Sequence, residues 1–138
     1  MACRCACERD RLTSEPGSTT GAAARRAFPR TTMLNYSPQG LVPAIIQDDE
    51  TDAVLMLGYM NPDTLRRTQE IGQVVFWSRS RQEVWHKGAT SGDYLEVRSI
   101  KADCEDNSLL IRVKMLGKAV CHTGAKSCYF KDVEEREP

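Results

Sequence analysis

Between residues 41 and 115 the chain alternates strand-length apolar runs with short polar or glycine-containing turns, and this punctuation limits its possible folds more than any other feature. "LVPAIIQ" and "AVLMLGYM" flank the acidic turn "DDETD", the pattern of a hairpin with one or both strands buried. "QVVFWSRS", "QEVWHKG", "YLEVRSIKA" and "SLLIRVKML" follow as further strands. In the last, Leu109, Ile111, Val113 and Met115 fall on one face and Arg112 and Lys114 on the other, which predicts a half-buried antiparallel sheet. One helix interrupts the strands, in "NPDTLRRTQEIG". Asn61 suits its N-cap, Pro62 its first position, Asp63 the positive end of its dipole and Gly72 its stop. The expected fold class is α+β: a mostly antiparallel β-sheet with few short helices.

A chain of 138 residues has room for one ordinary domain. Residues 1–32 mix Arg, Ser, Thr, Ala, Gly and Pro without apolar periodicity, so they are expected to be a disordered extension, or an over-long gene start before Met33. The domain is then 33–138. The extension holds six arginines against three acids, leaving 13 basic and 16 acidic residues beyond it, a balance that does not suit a nucleic-acid partner. Glu8, Asp10 and Glu15 argue against a transit peptide, and no apolar run approaches the roughly 20 residues of a membrane span. Without a continuous apolar leader segment, the compartment reads as reducing and cytoplasmic, where spaced cysteines are more often ligands or nucleophiles than bridges.

Cys104, Cys121 and Cys128 are separated by 16 and then 6 residues, which is not the paired spacing of a zinc ribbon. Three thiolates on a tetrahedral zinc leave a fourth position open, as in catalytic sites, but give a sphere of net charge −1 that weakens the metal's acidifying effect on water. His122, next to one thiol, is the candidate general base. Spacing alone leaves a second reading open, in which three thiols serve as small core hydrophobes.

In "ADCEDNS", strand alternation would set Asp103, Glu105 and Asn107 on one face, hard ligands suited to Mg²⁺, with Cys104 and Asp106 on the other. A solvated turn is the alternative. The segment "WSRSRQEVWHKGATSGDY" gathers Arg79, Arg81 and Lys87 with Thr90, Ser91 and two tryptophans. Guanidinium groups and a lysine there suit phosphate, Gly88 and Gly92 admit backbone N–H donors, and Trp77 or Trp85 can stack on a flat base. No P-loop or dinucleotide fingerprint is present, and ordinary surface arginines on an exposed strand pair are the rival reading.

"LMLGYMN", "SRSRQEVWHKGATSG", "DCEDN" and "CHTGAKSCYF", in this order, closely resemble the phosphoribosyl-AMP cyclohydrolases of histidine biosynthesis, from about Val54 to Phe130. The resemblance implies a homodimeric α+β protein, dependent on zinc and magnesium, that hydrolyses the N1–C6 bond of the adenine ring in 1-(5-phosphoribosyl)-AMP by zinc-activated water. It implies zinc on Cys104 of one subunit and Cys121 and Cys128 of its partner, with His122 moving the proton. It further implies magnesium on Asp103, Glu105 and Asn107, and substrate on Arg79, Arg81, Trp85, Lys87, Thr90 and Ser91. The family's D-C-D-x-D stands here as D-C-E-D-N, which lengthens one ligand and neutralises another. With no pyrophosphatase sequence after residue 138, the single-function form is expected. A nucleobase deaminase would need H-x-E followed by P-C-x-x-C, both missing. A non-catalytic zinc-stabilised module would leave His122 and the basic segment without a role.

Overall fold

A computed structural model describes residues 33–134, so the expectations for residues 1–32 fall outside the described part. The element order is β1 (Val42–Asp48), β2 (Val54–Met60), α1 (Pro62–Ile71), β3 (Val75–Ser78), β4 (Glu83–His86), β5 (Leu95–Ala102) and β6 (Leu109–Met115). The expected α+β class holds, with one helix among the described residues. None of the described helices is long and apolar enough to cross a membrane.

The main sheet runs β2-β1-β6-β5, with β3 and β4 forming a separate ribbon. Three of the strand pairings, β1–β2, β3–β4 and β5–β6, are antiparallel hairpins, as their short turns dictate. The fourth, β1–β6, is parallel, the exception in the mostly antiparallel arrangement expected, with Ala44 level with Leu109 and Asp48 with Val113. Alternation along β6 cannot reveal this, because side chains alternate identically in both pairings.

Every second residue of β1 (Val42, Ala44, Ile46, Asp48) is buried, and β6 buries Leu109, Ile111 and Val113 on the same core. The β3–β4 ribbon closes that core through Phe76. Its ring packs so tightly on β2 that a Cβ at Gly58 would lie 2.4 Å from a ring carbon. The helix begins at a reciprocal capping box. Thr64 N–H donates to Asn61 Oδ1 (2.8 Å), and Asn61 N–H donates to Thr64 Oγ1 (3.0 Å). It ends at Gly72 with φ 72°, the left-handed stop read from the sequence. Its buried side chains are Thr64 and Thr68, and the Thr68 hydroxyl accepts from Val75 N–H (3.0 Å), fastening helix to ribbon.

After the helix, Val74 N–H donates to Leu95 O (3.1 Å) and Val97 N–H to Gly72 O (2.8 Å), so this connection covers the outer edge of β5. Lys87 N–H donates in turn to Val74 O (3.1 Å). The end of β4 is thereby brought over the core, where the site forms.

Overpacking the Phe76 contact should cost about 1–3 kcal/mol. Gly58→Ala is expected to lower the urea midpoint accordingly with an unchanged slope. An unaltered midpoint would mean that the Phe76 ring can step aside freely.

Candidate active site

Two irregular segments, 87–94 after β4 and 116–130 after β6, build the site. Gly88 has φ 94°, and a Cβ there would lie 2.6 Å from Tyr94 N, so only glycine permits the first segment to turn back on itself. Asp93 Oδ1 accepts from Lys118 N–H (3.0 Å), which locks the two segments together. Between them and the β3–β4 ribbon is an open cleft of about 700 Å³.

The second segment lacks regular structure and is held by individual bonds. Val120 is buried in the core. Cys121 N–H donates to Ala125 O (3.1 Å) and Gly124 N–H to Cys121 O (3.0 Å), which closes a tight loop around His122. Cys128 N–H donates to Leu55 O (2.7 Å) and the Ser127 hydroxyl to Val54 O (2.7 Å), which anchors the loop on edge strand β2. Lys126 Nζ reaches the buried Asp48 carboxylate (3.2 Å), itself held by the Thr51 hydroxyl (2.6 Å).

This loop brings two of the three expected zinc thiols, Cys121 and Cys128, near enough for each to influence the other's ionisation. The Thr123 hydroxyl, 3.0 Å from Cys121 Sγ, and then the Thr123 N–H hold the Cys121 thiol below its usual range, with Cys128 and the Lys87 charge adding to the effect. Cys128 is pushed up, first by burial and then by its neighbour Cys121.

Cys104 lies elsewhere, exposed in the turn between β5 and β6. Its turn lies beyond Leu109, level with Ala44, whereas Cys128 sits on Leu55, beside Ile46 and Gln47. The offset is about four residues, roughly 13 Å along the strands at ~3.3 Å per residue. Sulfurs sharing one zinc at about 2.3 Å each cannot be farther apart than about 4.6 Å. Among the described residues, a single chain accordingly forms no cluster of three metal-ligating side chains. The donor set fits zinc only if a second copy completes it.

The acidic segment corrects the strand-alternation reading. Residues 103–108 are the β5–β6 turn, because Asp and Asn side chains bond their own backbone in preference to extending a ladder. Asp103 Oδ1 accepts from Asn107 N–H (2.8 Å) and Ser108 N–H (3.1 Å), and Asp106 adopts φ 57°. Desolvation raises the Asp103 carboxyl, but those N–H bonds outweigh it and hold the group below its ordinary value. Asn107 Nδ2 donates to Glu105 Oε2 (3.2 Å), so Glu105 and Asn107 meet through the turn and not through a strand face. Asn35 N–H, bonded to Asp106 O (2.7 Å), pins the turn from outside.

Five of the six expected substrate contacts, Arg81, Trp85, Lys87, Thr90 and Ser91, line the cleft together with Cys121 and His122. Arg79 is not among the lining residues; its guanidinium lies 3.8 Å from the centre of the Tyr59 ring. Trp85, not Trp77, lines the cleft, with its ring set against Phe76 at 5.6 Å. Of the two histidines, His86 is engaged with Gln73 (2.8 Å), while His122 is exposed with Nδ1 4.0 Å from Cys121 Sγ. Sequence reasoning missed Glu83 and Asp93, both lining the cleft, and no spacing signal distinguishes them from surface acids.

A sequence model of the phosphoribosyl-AMP cyclohydrolase family matches residues 56–130. The phosphoribosyl-AMP cyclohydrolase of Streptococcus gordonii is 51% identical over 105 residues, covering 75% of this chain and 91% of that protein. That of Streptococcus sanguinis is 54% identical over 101 residues, covering 72% and 88%. The histidine biosynthesis bifunctional protein HisIE of Prochlorococcus marinus is 44% identical over 105 residues, 76% of this chain but 46% of that longer protein.

The loop clasp carries a pH dependence. The Thr51 hydroxyl is the largest influence on Asp48 and lowers it; burial opposes, and Lys126 and Glu50 N–H add to the lowering. A carboxyl lowered by folding contributes stability that is complete above its unfolded value of about 4 and is lost as pH falls through that value toward the folded one. Between about pH 5 and pH 3 the wild type should therefore lose stability more steeply than Asp48→Asn in urea unfolding. Parallel curves would rule out the clasp as a stabilising contact.

Proposed function

The chain belongs to the phosphoribosyl-AMP cyclohydrolase family, and from that membership we propose that it hydrolyses the N1–C6 bond of the adenine ring of 1-(5-phosphoribosyl)-AMP. The observation that carries the reading is one cleft lined by the Cys121 thiol, the exposed His122, Trp85 and the basic and hydroxyl side chains of Arg81, Thr90 and Ser91. We take the active unit to be a homodimer working in the cytoplasm, where a reducing setting keeps thiols available as ligands.

Cys121 and Cys128 of one copy and Cys104 of the other would hold zinc, and Asp103, Glu105 and Asn107 would hold magnesium. Zinc bound there supplies Lewis acidity that makes water a competent nucleophile near neutral pH. The chain's own groups do the rest. Trp85 offers a flat face to the purine, which keeps C6 toward the thiol loop. Arg81, Thr90 and Ser91 bind phosphate oxygens, with Arg79 braced on Tyr59 at the edge of the same turn.

Substitution at N1 withdraws electrons from the ring and opens C6 to water. As the oxygen–carbon bond forms, His122 accepts the water's proton, with Nε2 free because Nδ1 faces Cys121. The tetrahedral C6 then collapses to a carboxamide: its hydroxyl proton passes to the exocyclic imino nitrogen, the C6–N1 bond breaks, and His122 returns the first proton to N1.

Purified protein incubated with phosphoribosyl-AMP should open the ring when zinc-loaded and stop when chelated, followed by absorbance. His122→Ala should keep its zinc and lose roughly 100-fold in rate. Zinc-loaded protein that leaves the substrate intact would remove the proposed activity. Cys104→Ala and Cys121→Ala variants, each inactive alone, should recover part of the activity when mixed, since a mixed dimer retains one complete trio. No recovery would argue against ligands shared between copies.

A further inference from the structure

Lys87 is the one buried lysine among the described residues, 8% exposed, although it belongs to the segment that sequence reasoning gave to phosphate. Its Nζ donates to Val120 O at 2.6 Å, its single hydrogen bond, and lies 5.4 Å from the centre of the Trp85 ring. No carboxylate of the described residues pairs with it. A buried polar group held by one hydrogen bond makes that bond costly to lose.

That bond ties Lys87 to the thiol loop, because Val120 immediately precedes Cys121 and the bond spans 33 residues of sequence to reach it. The turn at Gly88 directs the chain away just after Lys87, leaving the hydroxyls of Thr90 and Ser91 and the Arg81 guanidinium for phosphate.

We propose that Lys87 is a positioning residue: it clamps the loop bearing Cys121, His122 and Cys128 through Val120 O.

The test compares wild type, Lys87→Met and Lys87→Arg by amide hydrogen exchange of the metal-free proteins, by zinc affinity against a chromophoric chelator, and by KM. In Lys87→Met, exchange across 119–128 should accelerate at least roughly 10-fold while β1 and β6 amides keep their protection. Zinc affinity should fall roughly 10- to 100-fold, as when groups supporting metal ligands are removed, with KM changed less than about threefold. Lys87→Arg, which keeps a charged donor, should recover most of both losses, and that recovery separates the role from general damage to the fold. Unchanged loop exchange overturns the clamp, and a large rise in KM with zinc affinity intact returns Lys87 to the phosphates. Wild-type protein that binds no zinc would sink the cyclohydrolase reading while the exchange comparison still decides the clamp.

Discussion

Hydrogen bonds between β1 and β6 join two hairpins that would otherwise be separate, and the positions of the site residues follow from that parallel pairing. A hairpin orders itself through its own turn; a parallel pair has no turn and must be held by side chains. Val42, Ala44 and Ile46 of one strand and Leu109, Ile111 and Val113 of the other supply this as a continuous buried surface. Arg112 secures the far end, bonding Asp49 (2.9 Å) and Asp52 (2.6 Å) of the β1–β2 turn, while Asp49 N–H donates to Val113 O (2.8 Å). The turn so fixed presents Asp48 to Lys126.

The same pairing separates the cysteines. With β1 and β6 running in the same direction, the β5–β6 turn lies at one end of the sheet and the start of β2 at the other. Cys104 rides on the first and Cys128 on the second. Within one chain the sheet keeps Cys104 apart from the other two thiols. The exposed Leu57 on edge strand β2 and the exposed Tyr129 and Phe130 beyond Cys128 are apolar surface near Cys128.

The cleft brings opposite chemistries together. Lys87 lies buried and bonded to Val120 O, next to Cys121 in sequence, and His122 stands exposed. Arg81 and the hydroxyls of Thr90 and Ser91 line the same cleft with Trp85. An irregular loop can hold this order because five separate anchors tie it down: Val120 in the core, Lys87 on Val120 O, Lys126 on Asp48, Ser127 on Val54 O and Cys128 on Leu55 O.

Read along the chain, the residues alone determined the hairpins, the capped helix from Asn61 to Gly72 and the gathering of Arg81, Trp85, Thr90 and Ser91. Each depends on neighbours within a few positions, where alternation, capping and turn preferences act directly. Short range also misled: "ADCEDNS" alternates like a strand, yet its Asp and Asn side chains bond backbone N–H groups and bend it into a turn. The parallel β1–β6 register, the burial of Lys87 under Val120 and the distance between Cys104 and its fellow thiols belonged to the tertiary structure alone. They arise from contacts between residues more than thirty positions apart, and a pattern of period two or 3.6 carries no information about which distant face it will meet.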